Sequence, residues 1–569
     1  MHVTISGYIA RYRFRILVLI ALVLLQSLFA FAIPIIVRVS LSSIQLGDMS
    51  NTCFVCFFLV LLGAYLTTMG YHLFLLRFSL VFKHNELKRL FEDLFRARLS
   101  RVQELGPTYF AHRILTAGSN FFSLIGDSFP KALVAGLVII ISLGLILSLN
   151  KFVFLLFLVL IPVSYLSYRR LNMTLQKKSD QLQSVSAHNI KNVIGVVQNL
   201  EEIKHLSNYH VFSELTGRYL YDLERANADV GRYAHLLSTT IQFSISLIRN
   251  GVLFLTIYYF LSSRMVFADM MFVNLIFSIY FTALSELNGI NICKRDTDAS
   301  LGFVNREIIA HRETDAGRET LASVDQLAFY IKHFAYTPGQ DILRDINLQI
   351  KKGDRIAIVG HVGSGKTTLV KLLMRYHNNG DSISINGVPL SLYTLDSLRS
   401  KIYIVPQRPH LFPGNIRDNI VVGLNNVCKK RLDRVISLPF FSSFIRELPL
   451  GLETKVGEDG FSLSSGQKQK IMMARLLMHD PEVIILDESS SCMDSYSETA
   501  IYHAIETLGK DRITIRISHR MSTIKDANTI VVLSRGRIVA SGTHQHLLAT
   551  SREYRELFSP QLISQLWNK

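Results

Sequence analysis

Apolar residues are concentrated in six segments in the first half of the chain, at 15–37, 53–76, 132–149, 152–168, 236–261 and 271–287. Each segment is long enough, or nearly so, to cross a hydrocarbon core of about 30 Å as a helix. The third and fourth form one apolar block, which we divide at Asn150 and Lys151 because it is too long for one span. The fourth and sixth are short, so we expect them to extend beyond the membrane. The pattern predicts six membrane-spanning helices.

Lys and Arg residues are concentrated between spans two and three and between spans four and five. Cytoplasmic loops of membrane proteins carry an excess of these residues, so both long segments and both termini are predicted to be cytoplasmic. The leucines of the first of these segments have heptad-like spacing, which predicts helices that continue into the cytoplasm. These leucines are Leu87, Leu90, Leu94 and Leu99. Such extensions either couple to a soluble domain or only anchor the bundle.

The second half of the chain has a different pattern. Residues 288–320 are mostly polar, and from Val324 onward short β-branched runs such as 355–359 and 483–486 alternate with helical stretches. This alternation predicts an α/β domain with parallel core strands. We expect a transmembrane domain at 1–310, a linker at 311–323 and an α/β domain at 324–569.

Composition agrees with a membrane protein, since 49% of the 569 residues are apolar. The formal charge of +17 suits nucleic acid, phosphate ligands or an anionic membrane. Its positive residues lie mainly beside the spans, so we expect lipid head groups and no nucleic acid as partners. Cys53 and Cys56 form a CxxC without a second ligand pair, which favours packing over metal binding. The N-terminal apolar run lacks a small-residue cleavage site, which predicts a retained span. Because residues 1–14 alone precede span one, we expect no leader-cleaving peptidase domain.

The sharpest local signal is the phosphate-binding loop Gly360-His361-Val362-Gly363-Ser364-Gly365-Lys366-Thr367, between a predicted strand and helix. Glycines let backbone N–H groups approach phosphates, and the helix N-terminus favours negative charge. Lys366 is predicted to hold the β- and γ-phosphates of ATP, and the Thr367 hydroxyl to bind Mg²⁺. The predicted ATP-binding residues of the loop are Gly360, Gly363, Ser364, Gly365, Lys366, Thr367 and Thr368.

An apolar strand ends in the carboxylates Asp487 and Glu488. Asp487 is predicted to hold Mg²⁺ through water, and Glu488 to orient or deprotonate the attacking water.

Between these two elements, Leu463-Ser464-Ser465-Gly466-Gln467 resembles the LSGGQ signature of ATP-binding-cassette (ABC) proteins. Gln407 resembles the family's Q-loop glutamine, Asp494 its D-loop aspartate, His519 its switch histidine, and Tyr336 the aromatic residue that stacks on adenine. The resemblance implies that Glu488, His519 and Gln407 act in catalysis. It also implies that Gln407 joins Thr367 and Asp487 at Mg²⁺.

The resemblance further implies that two ATPase domains meet head to tail. Ser464 and Gly466 would then donate hydrogen bonds to the γ-phosphate bound in the partner, and a lone subunit should hydrolyse poorly. Gln467 and Asp494 are also expected to bind ATP. Ser465 stands where the signature has glycine, and its side chain could crowd the phosphate. Since Glu488 and His519 are retained, we expect a hydrolytically competent site. A homodimer is favoured, and the Ser465 change leaves a heterodimer open.

Thr454-Lys455-Val456-Gly457-Glu458 resembles the TEVGE loop of ABC exporters, and spans fused ahead of an ATPase domain resemble the exporter half-transporter. The resemblance implies alternating access, with Glu458 contacting the membrane helices. We expect a bacterial inner (plasma) membrane location.

Polar residues of spans five and six form two predicted stripes, consisting of Gln242, Ser246 and Arg249, and of Asn274, Ser278 and Ser285. Charges within a membrane usually face a wet cavity or a partner, so we expect both stripes to line the substrate cavity and Arg249 to favour an anionic group. Hydrogen bonds between helices remain the alternative. The expected substrate is amphipathic. A peptide is the first choice, and a lipid, lipid-linked glycan or drug-like compound is the alternative. An ATP-gated channel is the less favoured function.

Overall fold

The structure is a computed structural model that describes residues 4–45, 51–337, 339–377, 381–407, 409–457, 463–487, 505 and 511–567. It divides into two compact units, Met1–Glu313 and Thr314–Lys569, which we call the helical unit and the α/β unit.

The helical unit consists of long helices joined by short connections. Its helices are α1 (Ile5–Gln45), α2 (Asn51–Phe95), α3 (Leu99–Leu105), α4 (Pro107–Phe122), α5 (Phe129–Leu147), α6 (Lys151–Gln198), α7 (Leu200–Leu206), α8 (Tyr209–Leu261) and α9 (Phe267–Phe303). A π-helical turn, Ser123–Ser128, makes α4 and α5 continuous, and a second one, Val304–Ile309, extends α9.

Within the described residues, five helical stretches are long and apolar enough to cross a membrane, namely Ile5–Ser43, Thr52–Phe95, Pro107–Leu147, Gln242–Leu261 and Phe267–Ile309. The first part of α6, Lys151–Pro162, is a shorter apolar stretch. The predicted turn at Asn150 is confirmed, because the Asn150 side chain caps α6 by accepting hydrogen bonds from the N–H groups of Phe152 and Val153. Helix α8 has 53 residues and is about 80 Å long, far more than a bilayer requires.

A buried cluster joins α1, α5, α6, α8 and α9. At its centre the Phe157 ring packs against the rings of Phe277 and Tyr280, and the Tyr280 hydroxyl donates to the Phe157 carbonyl oxygen over 2.7 Å. Helices α5 and α9 contain the third and sixth predicted spans, which cross the membrane in opposite directions, so the two helices are antiparallel. The Ser128 hydroxyl, just before α5, lies 3.0 Å from the Cys293 sulfur of α9. The beginning of α5 therefore lies beside the second half of α9.

The α/β unit is built on strands and short helices. Its strands are β1 (Gln326–Ala335), β2 (Asp341–Lys351), β3 (Arg355–Val359), β4 (Ile383–Ile385), β5 (Val388–Pro389), β6 (Ile402–Val405), β7 (Gly414–Asn415), β8 (Lys455–Val456), β9 (Val483–Asp487), β10 (Ile513–Ile517), β11 (Thr529–Ser534) and β12 (Arg537–Gly542). Its helices are α10 (Lys366–Leu373), α11 (Leu395–Lys401), α12 (Ile416–Val421), α13 (Lys429–Ser437), α14 (Pro439–Arg446), α15 (Ser465–His479), α16 (Met521–Ile524), α17 (His544–Thr550) and α18 (Arg552–Trp567).

Among the described residues, the core sheet has the strand order β12-β11-β3-β10-β9-β6, in which only the β11–β12 pair is antiparallel. A second, antiparallel sheet has the order β2-β1-β4-β5. The predicted α/β domain with parallel core strands is confirmed. Since β3, β9 and β10 are parallel, the segments that follow them leave the sheet at one edge.

Two hairpins of the α/β unit have the same two-residue turn, in which both residues have positive φ. Asn386 and Gly387 join β4 to β5 with φ of 53° and 80°, and Arg535 and Gly536 join β11 to β12 with φ of 47° and 78°. A Cβ atom at Gly387 would meet nothing within 4 Å, whereas one at Gly536 would lie 2.2 Å from the Ile342 carbonyl oxygen.

We therefore expect Gly536→Ala to destabilise the α/β unit more than Gly387→Ala does. Both variants incur the left-handed strain of about 1–2 kcal/mol. Only Gly536→Ala adds a backbone collision, which we expect to cost about 1–3 kcal/mol more. Thermal unfolding of the purified full-length variants measures the difference. Equal melting temperatures for the two variants would show that strand β2 moves away from the added Cβ atom without a loss of stability.

Candidate nucleotide-binding site and membrane cavity

The loop between β3 and α10 requires glycine because of its close neighbours. A Cβ atom at Gly360 would lie 2.1 Å from the Leu533 carbonyl oxygen, and one at Gly365 would lie 2.6 Å from a Leu343 methyl carbon. Gly363 and Gly365 also have positive φ, at 82° and 103°. The backbone can therefore wrap a phosphate group only with glycine at these positions.

Two buried polar side chains point to an anionic ligand of this loop. The Lys366 ammonium group is buried and donates to the carbonyl oxygens of Gly360, at 2.7 Å, and His361, at 3.0 Å. The Ser364 hydroxyl oxygen is buried and has no hydrogen-bond partner among the described residues. A buried hydroxyl without a partner is costly, and a bound phosphate oxygen would accept its proton.

One cavity of about 720 Å³ brings together side chains from distant parts of the sequence. Of the predicted ATP and Mg²⁺ residues, it is lined by Gly363, Ser364, Gly365, Lys366, Thr367, Thr368, Gln407, Asp487 and His519. They meet because the loop after β3, the end of β9 and the residues after β10 lie at the same edge of the sheet. The Thr367 hydroxyl, the Gln407 amide and the Asp487 carboxylate supply the oxygen ligands that Mg²⁺ prefers, so the residues fit this ion.

The cavity also contains residues that the sequence analysis did not single out. Asp341, Ile342 and Arg344 of β2 line it, and so do Arg535 and Gly536 from the β11–β12 turn. The Arg344 side chain forms an ion pair with Asp341 at 3.3 Å. The glycine of this Arg-Gly pair, between two β-branched runs, marks a turn. Nothing in that local pattern indicates that the hairpin reaches the phosphate loop.

Tyr336 lies beside the cavity and contacts it through Thr368. Its hydroxyl donates to the Thr368 hydroxyl oxygen over 3.2 Å, and its half-exposed ring packs edge-on against the His377 ring, with centroids 4.8 Å apart. Burial, together with the nearby Lys371 ammonium, lowers the pKa of His377 from its ordinary value, which favours a neutral imidazole beside Tyr336. An exposed aromatic face next to the phosphate loop is suited to stacking on a nucleobase.

We expect Tyr336→Ala to raise the KM for ATP about tenfold, because base stacking on an aromatic side chain contributes roughly 1–3 kcal/mol. Tyr336→Phe keeps the ring and removes only the hydrogen bond to Thr368, so its KM should stay within about twofold of the wild-type value. ATP titrations of phosphate release by the purified protein test both values. If the two variants were equally impaired, the hydroxyl and not the ring would carry the effect.

The signature residues begin helix α15 and do not line the 720 Å³ cavity. The Ser464 hydroxyl oxygen accepts from the Gln467 N–H, and the Gln467 side-chain oxygen accepts from the Ser464 N–H, which forms a capping box. Ser465 is the exposed first residue of the helix, followed by Gly466. The side chain of Ser465 is therefore accessible at the helix N-terminus.

Three residues predicted to act in the nucleotide site or in coupling lie outside the described residues. They are Glu488, Asp494 and Glu458. Their roles stay predictions from the sequence.

The two predicted polar stripes of the membrane helices do not line one cavity among the described residues. In the helical unit, a cavity of about 340 Å³ lies between α1, α5 and α9, and of the predicted residues only Ser278 lines it. We call it the membrane cavity. The Asn274 amide instead donates to the Thr256 hydroxyl oxygen over 3.3 Å and to the Met270 carbonyl oxygen over 2.8 Å. The bond to Thr256 joins α9 to α8, and such interhelical hydrogen bonding is the alternative that the sequence left open.

Gln242, Ser246 and Arg249 lie on α8, which contributes no residue to the lining of the membrane cavity. Arg249 is exposed and forms no ion pair within the described part of the chain. Ser285 is also exposed and does not line the cavity. A substrate role for these residues stays a prediction.

Comparison with known proteins agrees with this combination of units. The family model of the ABC transporter transmembrane region matches residues 16–284, and the ABC transporter model matches residues 343–491. A bacterial Atm1-family ABC exporter solved with ATP bound superposes with a TM-score of 0.86 over 97% of this chain and 99% of that one. At 24% identity, this likeness shows the fold.

Curated relatives match over part of their length. An ATP-dependent lipid A-core flippase of Legionella pneumophila is 40% identical over 237 residues, which are 42% of this chain and 40% of that protein. A probable multidrug resistance ABC transporter ATP-binding/permease protein of Bacillus subtilis, YheI, is 38% identical over 283 residues, 49% of this chain and 48% of that protein. The chain therefore matches less than half of the length of either relative.

The fold and the phosphate-loop cavity define a membrane protein with a fused P-loop ATPase domain. The chain belongs to the ABC transporters, as a half-transporter that joins the transmembrane region of the exporter fold and one ABC ATPase domain in a single polypeptide.

Proposed function

We propose that two copies of this chain use ATP hydrolysis to export an amphipathic molecule across the bacterial inner membrane by alternating access. The observation that carries this proposal is the 720 Å³ cavity, where Lys366, Gln407, Asp487 and His519 converge in a chain whose other unit is a bundle of membrane-length helices. Both termini and the ATPase domain would be cytoplasmic, as the distribution of Lys and Arg predicts.

Each residue of the nucleotide site has a role that follows from its chemistry. The loop glycines admit the phosphates, Lys366 compensates their charge, and the Ser364 hydroxyl donates to a phosphate oxygen. Bound Mg²⁺ would supply further charge neutralisation of the phosphates, with Thr367 and Gln407 as its protein ligands and Asp487 holding it through water. Glu488 would orient and deprotonate the attacking water, and His519 would hydrogen-bond the γ-phosphate.

A dimer is required because the signature residues serve the partner's nucleotide in this proposal. Ser464 and Gly466 lie at the N-terminus of the fifteen-residue helix α15, where N–H groups and the helix dipole favour an anion. The Ser464 hydroxyl oxygen accepts from Gln467, which leaves its proton for the partner's γ-phosphate. A homodimer is favoured because the predicted catalytic residues Glu488 and His519 are both present.

The membrane cavity favours a lipid-like substrate over the peptide that the sequence placed first. The charged and uncharged ends of the cavity are about 10–12 Å apart. On α5, Lys131 is seven residues, about 10 Å, from Val138, and on α9, Glu286 is eight residues, about 12 Å, from Ser278. In the predicted orientation, the charged end of the cavity faces the cytoplasm and the end lined by Val134, Ala135 and Val138 lies deeper. A lipid of the inner leaflet likewise has its polar head group toward the cytoplasm and its apolar chains deeper in the membrane. Relatives named as lipid flippases and multidrug transporters support the same choice.

The proposal is tested with inside-out proteoliposomes that contain the purified protein and fluorescent amphipaths, either lipid-like or peptide. ATP with Mg²⁺ should drive at least one lipid-like probe from the outer to the inner leaflet or lumen, and Lys366→Ala should not. ATP turnover without movement of any probe would contradict export. ATP-gated ion conductance with slow turnover would support the channel alternative instead.

A further inference from the structure

The charged end of the membrane cavity contains one cation whose charge is already compensated. Lys131 lies in the cavity lining, and its ammonium group forms an ion pair with Asp127 at 2.8 Å. The Tyr71 hydroxyl donates to the same Asp127 oxygen over 2.8 Å, and the Lys131 ammonium lies 5.7 Å from the centre of the Tyr71 ring. This arrangement fixes Lys131 against α2 and the π-helical turn before α5.

Glu286 is the second charged residue of the lining, and it is half-buried on α9. It forms no ion pair with any residue in the described ranges. With Asp127 and Lys131 cancelling each other, Glu286 leaves one uncompensated negative charge at this end of the cavity. A half-buried carboxylate is costly unless a counter-charge or water stabilises it, so the cavity should attract a cation.

Apart from the polar residues Gln26, Ser27, Ser278 and Thr282, the remainder of the lining is suited to an apolar body beside that cation. Val23 and Ala30 of α1, Val134 and Val138 of α5, and Ile279 of α9 form its apolar wall. The Ser27 and Thr282 hydroxyls donate to carbonyl oxygens of their own helices, which reduces their polarity toward the cavity. The volume of about 340 Å³ lies in the range of small-molecule pockets, so one compact apolar group can enter.

We propose that the membrane cavity is a binding site for a monocationic amphipath, with Glu286 as the counter-ion of its ammonium or similar cationic group. This inference deepens the proposed export function by naming the substrate class. It is opposite to the anionic preference expected from Arg249, because Arg249 is not part of the lining and Lys131 is paired. A membrane-anchored amine lipid and a free organic cation share this chemistry.

Binding and transport are measured separately, so that the inference and the export proposal can fail independently. Full-length protein in nanodiscs is titrated with tetraphenylphosphonium and with tetraphenylborate, which have the same shape and opposite charge, and empty nanodiscs give the bilayer background. We expect saturable binding of the cation above this background and none of the anion. Oleylamine in the bilayer should compete with the cation if an amine lipid is the natural source, and should not compete if the source is a free cation.

Glu286→Gln should weaken tetraphenylphosphonium binding at least tenfold, and Glu286→Asp should restore most of it. Glu224→Gln, a matched change at an exposed position of α8, should bind as the wild type does. Unaltered ATP binding by the Glu286→Gln protein would show that it is folded. Equal affinities in Glu286→Gln and Glu224→Gln would overturn the inference, and so would preferential binding of tetraphenylborate that Arg249→Ala removes. Cation binding without ATP-driven movement would leave the site standing and refute export of this cation.

Discussion

Replacement of Lys366 by alanine is expected to reduce ATP turnover at least about 100-fold, the scale of losing one preorganised electrostatic contact to the transition state. The Lys366 ammonium is buried in the phosphate loop and is held by the carbonyl oxygens of Gly360 and His361. It is thus positioned before nucleotide arrives. ATP binding should weaken as well, because the phosphates lose a charge-assisted hydrogen bond. Phosphate release and equilibrium binding of a fluorescent ATP analogue measure the two effects.

Lys351→Ala is the matched control, because Lys351 is an exposed lysine at the end of strand β2 of the same unit. It should hydrolyse ATP at the wild-type rate. Thermal unfolding of Lys366→Ala separates loss of the ammonium from loss of the fold. If a folded Lys366→Ala protein retained more than about a tenth of wild-type turnover, Lys366 would not be needed to stabilise the phosphates during hydrolysis.

The Glu488→Gln variant should lose ATP turnover about 100- to 10,000-fold, the range of general-base catalysis, while it still binds ATP. Glu488 directly follows Asp487, the last residue of β9, whose carboxylate lies in the nucleotide cavity. The amide keeps the size of the side chain but cannot accept the proton of the attacking water. With ATP bound and not hydrolysed, the paired ATPase domains should accumulate in the closed state, which cysteine cross-linking between subunits would detect.

Glu482→Gln changes a carboxylate to an amide just before the same strand, at its other end. Glu482 accepts from the Lys401 ammonium and from the Val324 N–H there, far from the nucleotide cavity. The Glu482→Gln variant is therefore the matched control, and its ATP turnover should remain within a few-fold of the wild-type value. If Glu488→Gln retained comparable turnover, another group would have to activate the water.

The phosphate loop and the carboxylate strand could be predicted from the sequence because their information is local. A β-strand, a glycine-rich turn and a helix follow each other directly, so Gly363, Lys366 and Thr367 define a phosphate site without knowledge of the remaining chain. The convergence of Gln407 and His519 on that loop came from resemblance to a family. The arginines Arg344 and Arg535 were missed, because their approach depends on how strand β2 meets the β11–β12 hairpin.

The sequence by itself determined the membrane helices, the α/β domain and the nucleotide site, since hydrophobic length, strand alternation and a contiguous motif are properties of neighbouring residues. Only the tertiary structure decided which polar residues of the membrane helices share a cavity. Asn274 and Ser278 are one helical turn apart, yet Asn274 is bound to Thr256 while Ser278 lines the cavity. Lys131 and Glu286 lie 155 positions apart in the chain and meet there because antiparallel helices α5 and α9 pack side by side. Helical periodicity shows which residues share a face of one helix, but the packing of several helices determines which faces meet.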